Sequence, residues 1–252
     1  MLQSTALVSV KNLRYSYGQR VAVGGVSFDV AQGEIFGLLG PNGAGKTTTL
    51  SCLAGLLGAF EGELEMKGQR YRPGDSVDDR RRLGLVPQEL ALYDDLTGRE
   101  NLVFFGKING IKGVDLVQAV DKALSLAGLA DRAGDRVKEY SGGMKRRLNL
   151  AAGDLHSPSL LLLDEPTAGV DPQSRNHIFE ALRALRTQGR TIIYTTHYME
   201  EAQRLCDRVA IINEGLIAAI GTARELATGI GKPEADLEDV FLHLTGRSLR
   251  DR

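Results

Sequence analysis

Eight consecutive residues, Gly40 to Thr47, read GPNGAGKT and satisfy the pattern G-x-x-x-x-G-K-[ST]. The residue types dictate a chemistry. Glycines at 40, 43 and 45 let backbone N–H groups turn inward around phosphate oxygens, with Pro41, Asn42 and Ala44 completing the turn. Lys46 supplies a point positive charge for the outer phosphates of a nucleotide. The Thr47 hydroxyl is a hard oxygen ligand for Mg²⁺, and Thr48 follows it at the start of a helix whose N-terminus attracts anions. A second reactive pair sits at Asp164 and Glu165, where the apolar run LLLLDE empties into two carboxylates. Neighbouring strand residues point in different directions, so Asp164 can face a metal while Glu165 acts as general base toward a water.

Such residues need elements to hold them. EIFGLLG, before the glycine loop, reads as a strand buried on both faces. After the loop, Leu50, Leu53, Ala54 and Leu57 follow helical spacing, with Gly58 where a C-cap belongs. LVSVKNLRYSY and VSFDV alternate apolar and polar residues and predict strands broken at Gly24, Gly25 and Gly33. EGELEMKGQRY predicts a strand pair, and RLGLVPQ a strand ended by Pro87. From Glu89 to about Leu155 the pattern turns helical. LLLLDE, a helix over about 172–188, TIIYTTH, the helical YMEEAQRLCDRV, VAIINEG and LIAAIG then alternate. The expected fold is α/β: a P-loop NTPase core with an N-terminal antiparallel β subdomain and an inserted α-helical subdomain. Its divisions fall at about 7–88 with 156–225 for the core, 89–155 for the helical insert and 226–252 for a helical tail.

Composition narrows the classes. Lys plus Arg is 31 and Asp plus Glu is 32, so there is no cationic excess to displace counterions, and nucleic acid is not an expected ligand. Cys52 and Cys206 are too few for a disulfide framework or a four-ligand zinc site, which suggests a reducing compartment. No apolar run reaches the ~18 residues of a membrane span, so for any membrane role something else must hold the chain there. Glycine is 30 of 252 residues, about 12 % against roughly 7 % usually, a signature of tight turns or of backbone close to a ligand.

Taken with the motifs between and after them, the two reactive stretches resemble those of the ATP-binding subunit of ABC transporters. Ser141, Gly142 and Gly143 match that family's signature motif and also predict a helix start capped by Ser141. Tyr140 stands where leucine is usual and Met144 where glutamine is usual. Gln88 resembles the family's glutamine that touches Mg²⁺ and water and relays to the membrane subunit. His197 resembles the histidine that contacts the γ-phosphate. Asp171, followed by Pro172, resembles the aspartate that communicates across a dimer, and is equally an N-cap with proline at N1. Tyr17, with Tyr15 two residues away, resembles the aromatic that stacks on adenine.

The resemblance spans the chain from about Val8 onward. It implies ATP and Mg²⁺ as ligands and ATPase activity. It also implies a head-to-tail pair with a second ATPase subunit, an integral membrane permease as partner, and a peripheral place on the cytoplasmic face of the membrane. DLEDVFLHLTGR, SGGMKRRL and HYMEEA are similar to the group of exporters for drugs, antibiotics and polysaccharides. The other reading within the family is a soluble assembly-scaffold ATPase of the iron–sulfur type. A chromosome-maintenance ATPase would carry a long coiled coil between the glycine loop and Ser141, and no heptad run is present. The cargo is not legible, since the family places substrate recognition in the membrane subunit.

The glycine loop generates a direct test. Lys46→Ala removes the fixed cation of a phosphate site, and ATP binding followed by calorimetry is expected to weaken markedly. Affinity equal to the parent would remove the phosphate-loop reading.

Overall fold

The computed structural model describes residues 6–72, 79 and 81–246. In chain order, its first elements are β1 (Ala6–Tyr17), β2 (Arg20–Ala31), β3 (Ile35–Leu39), α1 (Lys46–Leu53), β4 (Glu61–Met66), β5 (Gln69–Arg70) and β6 (Leu83–Val86). Then come the helices α2 (Gly98–Ile108), α3 (Gly113–Leu126) and α4 (Gly142–Asp154), strand β7 (Leu160–Asp164) and α5 (Pro172–Thr187). The chain closes with β8 (Thr191–Thr196), α6 (Met199–Leu205), β9 (Arg208–Asn213), β10 (Leu216–Gly221), α7 (Ala223–Gly229) and α8 (Leu237–Thr245). They fall into two compact units: Met1–Asp79 with Thr191–Arg252, and Arg80–Arg190.

In the first unit, alternation builds an antiparallel sheet of order β2-β1-β4-β5. Val8, Val10 and Leu13 of β1 face Val30, Phe28 and Val26 of β2, while Met66 and Leu64 of β4 oppose Val8 and Val10. All of these side chains are buried. β2 runs through Gly24 and Gly25, where the pattern predicted a break. Close approach explains the glycines: Gly24 N–H donates to the Gly215 carbonyl at 2.7 Å, and a Cβ on Gly25 would lie 2.8 Å from Asn12 Oδ1.

The other sheet segment of this unit is parallel, with β3 pairing on one side with β8 and on the other with β9, and β10 antiparallel to β9. Every residue of β3 and β8 is buried, as their unbroken apolar and β-branched runs require. The glycine loop leaves the carboxyl end of β3. Helix α1 is shorter than its spacing predicts: it stops at Leu53, and Gly55 at φ 72° turns the chain before Leu57 is reached. Helix α6 also stops early, because Asp207 N–H donates to the Ile35 carbonyl at 2.8 Å and draws the chain into β9. Arg208 locks this corner, donating to Glu34 Oε1 at 2.7 Å and to the Asp29 carbonyl at 2.8 Å.

In the second unit, β6 and β7 pair in parallel, Leu83–Val86 against Leu160–Leu163. Its helices α2, α3 and α4 close on Leu102, Val120, Leu124, Val137 and Leu148. Thr97 and Glu100 form a reciprocal capping box that starts α2.

The tail helix α8 belongs to the core of the first unit. Leu237, Val240 and Phe241 are buried against Leu39, Met199, Val209 and Ile211, whereas Leu244, near the end of the helix, is exposed. Phe241→Ala is expected to destabilise the protein by about 3–5 kcal/mol, the usual range for emptying a buried phenylalanine site. Denaturant unfolding checks it, and a loss below 1 kcal/mol would mean the helix is an appendage.

Candidate active site

The glycine loop is built by exclusion. Gly40 sits so close to β9 that a Cβ would overlap the Ile212 carbonyl oxygen, and Gly45, at φ 103°, would bring a Cβ within 2.5 Å of the Ala22 carbonyl oxygen. Gly215, in the turn between β9 and β10, donates its N–H to the Ala44 carbonyl at 3.0 Å. The loop therefore rests on β2 and on the β9–β10 turn, with its middle open: Asn42, Gly43 and Thr47 are exposed. Lys46 is buried and donates to the carbonyls of Gly40 and Pro41 at 2.9 and 3.1 Å. Its ammonium is thus held inside the loop. Thr49, buried at the next turn, donates to the Gly45 carbonyl at 2.9 Å, while Thr48 lies buried one residue earlier.

Two further predicted residues belong to this unit. Tyr17 closes the β1–β2 hairpin, is half exposed and meets Tyr15 edge-on with ring centroids 5.0 Å apart. His197 follows β8, partly buried, with its ring 4.0 Å from that of Tyr198. The turn that carries it is anchored by Glu201, which spacing alone did not single out. This buried carboxylate accepts from Tyr194 Oη at 2.7 Å and Thr196 Oγ1 at 3.2 Å, and Thr196 Oγ1 in turn accepts the Tyr198 N–H at 2.9 Å.

The second unit places the acidic pair at the end of β7. Asp164 and Glu165 are both buried. Glu165 has φ 45°, a left-handed conformation that costs a non-glycine residue energy. Its carbonyl accepts the Ala168 N–H at 3.1 Å, closing the turn that follows.

Gln88 is exposed just after β6, on a segment pinned by side chains of α4. Arg146 donates to the Gln88 carbonyl. Asn149, itself buried, accepts the Ala91 N–H at 3.3 Å and donates to the Pro87 carbonyl at 3.4 Å, and Lys145 reaches Asp94 at 2.7 Å. Burial lowers the Arg146 pKa from its ordinary value, with the negative charge of Glu165 opposing the shift.

Helix α4 begins at the signature triplet. Ser141 is its N-cap, accepting the Met144 N–H at 3.2 Å, and both Ser141 and Gly142 are exposed. Gly143 is buried, where a Cβ would overlap the Ser174 side chain and come within 3.2 Å of Asp171 Oδ2. Asp171 is the N-cap of α5, accepting the Ser174 N–H at 2.9 Å. Hydrogen bonds from Ser174 hold its carboxyl below the ordinary range. The structure thus brings Ser141, Gly143 and Asp171 to one locality of this unit. Tyr140, in the place of the usual leucine, is buried, and its hydroxyl donates to the Arg132 carbonyl at 2.7 Å.

Comparison with known proteins gives a consistent picture. Residues 23–168 match the family described as ABC transporter. The chain is 46 % identical to a linearmycin resistance ATP-binding protein of Bacillus subtilis (strain 168), over 89 % of this chain and 72 % of the relative. It is 45 % identical to a Nod factor export ATP-binding protein of Ralstonia nicotianae, over 89 % of this chain and 70 % of the relative. A solved structure of an ATP binding subunit of ABC transporter superposes with a TM-score of 0.85 at 29 % identity, covering 95 % of this chain and 99 % of the other.

Tyr140 explains a glycine at the start of α2. A Cβ on Gly98 would overlap the Tyr140 hydroxyl, so Gly98→Ala is expected to cost about 1–3 kcal/mol by overpacking despite alanine's better helix propensity. In a Tyr140→Leu background the same substitution is expected to be neutral or stabilising. Equal costs in both backgrounds, read by denaturant unfolding, would show that the two residues are not coupled.

Proposed function

Because this chain belongs to the ABC transporter family as an ATP-binding, ATP-hydrolysing subunit, we propose that it powers an exporter by ATP-driven head-to-tail pairing with a second ATPase subunit, coupled to a membrane permease. Two copies of this chain form the working pair. The observation that carries the shared site is the start of α4. Ser141 and Gly142 stand exposed at a capped helix N-terminus, and an added Cβ at Gly142 meets no described atom within 4 Å. Packing does not require glycine there. The γ-phosphate of a nucleotide held by the other subunit does, since it needs the approach of bare N–H groups.

The roles follow from the residues. The amides of Gly40–Thr48 cradle the phosphates, Lys46 offsets their charge and Tyr17 stacks on the adenine. Glu165 takes a proton from water as its oxygen attacks the γ-phosphorus and the bond to the bridging β–γ oxygen breaks, yielding ADP and phosphate. His197 holds the γ-phosphate, the turn beneath it being fixed by Glu201. Gln88 and Asp171 carry the state of the nucleotide to the permease and to the other subunit.

The donors assigned to Mg²⁺ are the Thr47 hydroxyl, the Gln88 amide oxygen and the Asp164 carboxylate, all hard oxygens. Bound Mg²⁺ supplies neutralisation of the charge that develops on the separating phosphates.

The relatives named above act in linearmycin resistance and Nod factor export, which favours export over the assembly-scaffold reading. No helix among the described residues is long and apolar enough to cross a membrane. In the proposed assembly the permease holds the chain at the cytoplasmic face.

Glu165→Gln separates binding from chemistry. ATP should still bind and promote pairing, while hydrolysis falls by the ~10²–10⁴-fold typical of losing a positioned acid–base group. Steady-state ATPase assay beside size-exclusion chromatography with Mg-ATP checks both. Near-parental turnover would dismiss Glu165 as the base, and an inactive variant that never becomes more dimeric with ATP would undo the head-to-tail mechanism.

A further inference from the structure

The glycine loop has a cation at its mouth that no motif contains. Arg20 is the first residue of β2 and pairs directly with Tyr17 across the two-residue turn of the β1–β2 hairpin. Its side chain is exposed, and no hydrogen bond or ion pair to it is found among the described residues. A Cβ placed on Gly43 would lie 3.9 Å from Arg20 Nη2, and among the described residues, its chain neighbours aside, no other atom would come within 4 Å. The guanidinium therefore hangs over the exposed midpoint of the loop, from the hairpin that also presents Tyr17.

We propose that Arg20 is a nucleotide-binding residue whose guanidinium closes on the polyphosphate of ATP from the side opposite the loop amides. The inference rests on the phosphate-loop reading and adds a ligand group to it. Lys46 is buried and bonded to the Gly40 and Pro41 carbonyls, so it neutralises charge from within the loop. The solvent-facing oxygens of a polyphosphate need a second donor. A planar guanidinium meets two of them at once, and with no carboxylate among the described residues bonded to it, phosphate binding displaces water. Its position opposite Tyr17 makes the hairpin tip a two-part clamp, with an aromatic for the base and a cation for the phosphates. Such a clamp discriminates by phosphate content as well as by base.

The test titrates ATP and adenosine into the full chain, its Arg20→Gln and Arg20→Glu variants, and Lys46→Ala as a control. An exposed site makes the variants' folding safe, and thermal melts confirm it. Arg20→Gln should weaken ATP about tenfold at low salt, the lower end for a charge-assisted hydrogen bond, and Arg20→Glu should weaken it further. Adenosine binding, followed by NMR, should be unchanged in both. The difference between parent and variants should shrink as salt is raised. ATP affinity equal to the parent in both Arg20 variants overturns the inference while leaving the phosphate loop standing, provided Lys46→Ala has lost affinity. If Lys46→Ala binds ATP like the parent, the phosphate-loop reading falls and the Arg20 role with it. An equal loss for adenosine also overturns the assignment, because it would place the guanidinium on the base.

Discussion

Backbone packed against backbone is the constraint on which the first unit depends. The loop Gly40–Thr47 must turn its amides toward a ligand, which leaves its outer face to be satisfied by the protein. That face lies against the Ile212 carbonyl at Gly40 and the Ala22 carbonyl at Gly45, distances that admit no side chain. The β9–β10 turn completes the support: Gly215 donates to Ala44 and accepts from Gly24, so one residue ties the loop to both sheets of the unit. Gly40, Gly45 and Gly215 thus stand where chain meets chain, and the loop is held before any nucleotide arrives. Pre-organisation of this kind lowers the ordering cost of binding.

The second unit solves the same problem with side chains. The stretch after β6 is irregular from Pro87 to Leu96 and has no ladder to satisfy its backbone. Asn149 bonds to Pro87 and Ala91, Arg146 to Gln88, and Asn101 to Tyr93 and Thr97. A buried amide left unmet costs about 1–3 kcal/mol, more than the ~1 kcal/mol a made hydrogen bond contributes, so removing one of these polar residues does more harm than its bonds suggest. Because Arg146 and Asn149 lie on the helix capped by Ser141, the Gln88 segment and the signature triplet share one support. Glu201 plays the corresponding part under His197.

Most of the fold was legible because its central strands are chemically unambiguous. Ile35–Leu39, Leu160–Asp164 and Thr191–Thr196 are fully buried and read as such. The misreadings arise where a local signal competes with a contact distant in sequence. Leu57 continues the helical period of α1, yet Gly55 ends the helix first, and Gly24 and Gly25 look like breaks until their neighbours Gly215 and Asn12 are known. The motif residues were visible because their spacing is local. Their supports were not: Asn149 and Glu201 are polar residues in helical patterns, where the default reading is a solvated face. The one hint was position, since Asn149 sits within the apolar run LNLAA and Glu201 between Met199 and Ala202. Arg20 gave no hint at all, since its place over Gly43 depends on how the hairpin lies against the loop.

Adjacent glycines at the start of α4 show how packing and function divide a motif. Gly143 has the Ser174 side chain where its Cβ would be, so the cap of α5 at Asp171 can sit against α4 only if that residue is glycine. Alanine there would push apart two helix starts, whatever the ligand. Gly142 has the same helical surroundings and an open space in place of a neighbour. Glycine has a weaker helix propensity than alanine, and no contact among the described residues calls for it at this position. The proposed role of the triplet at a shared phosphate therefore rests on Gly142, where the helix start stays open, and not on Gly143, which packing alone demands.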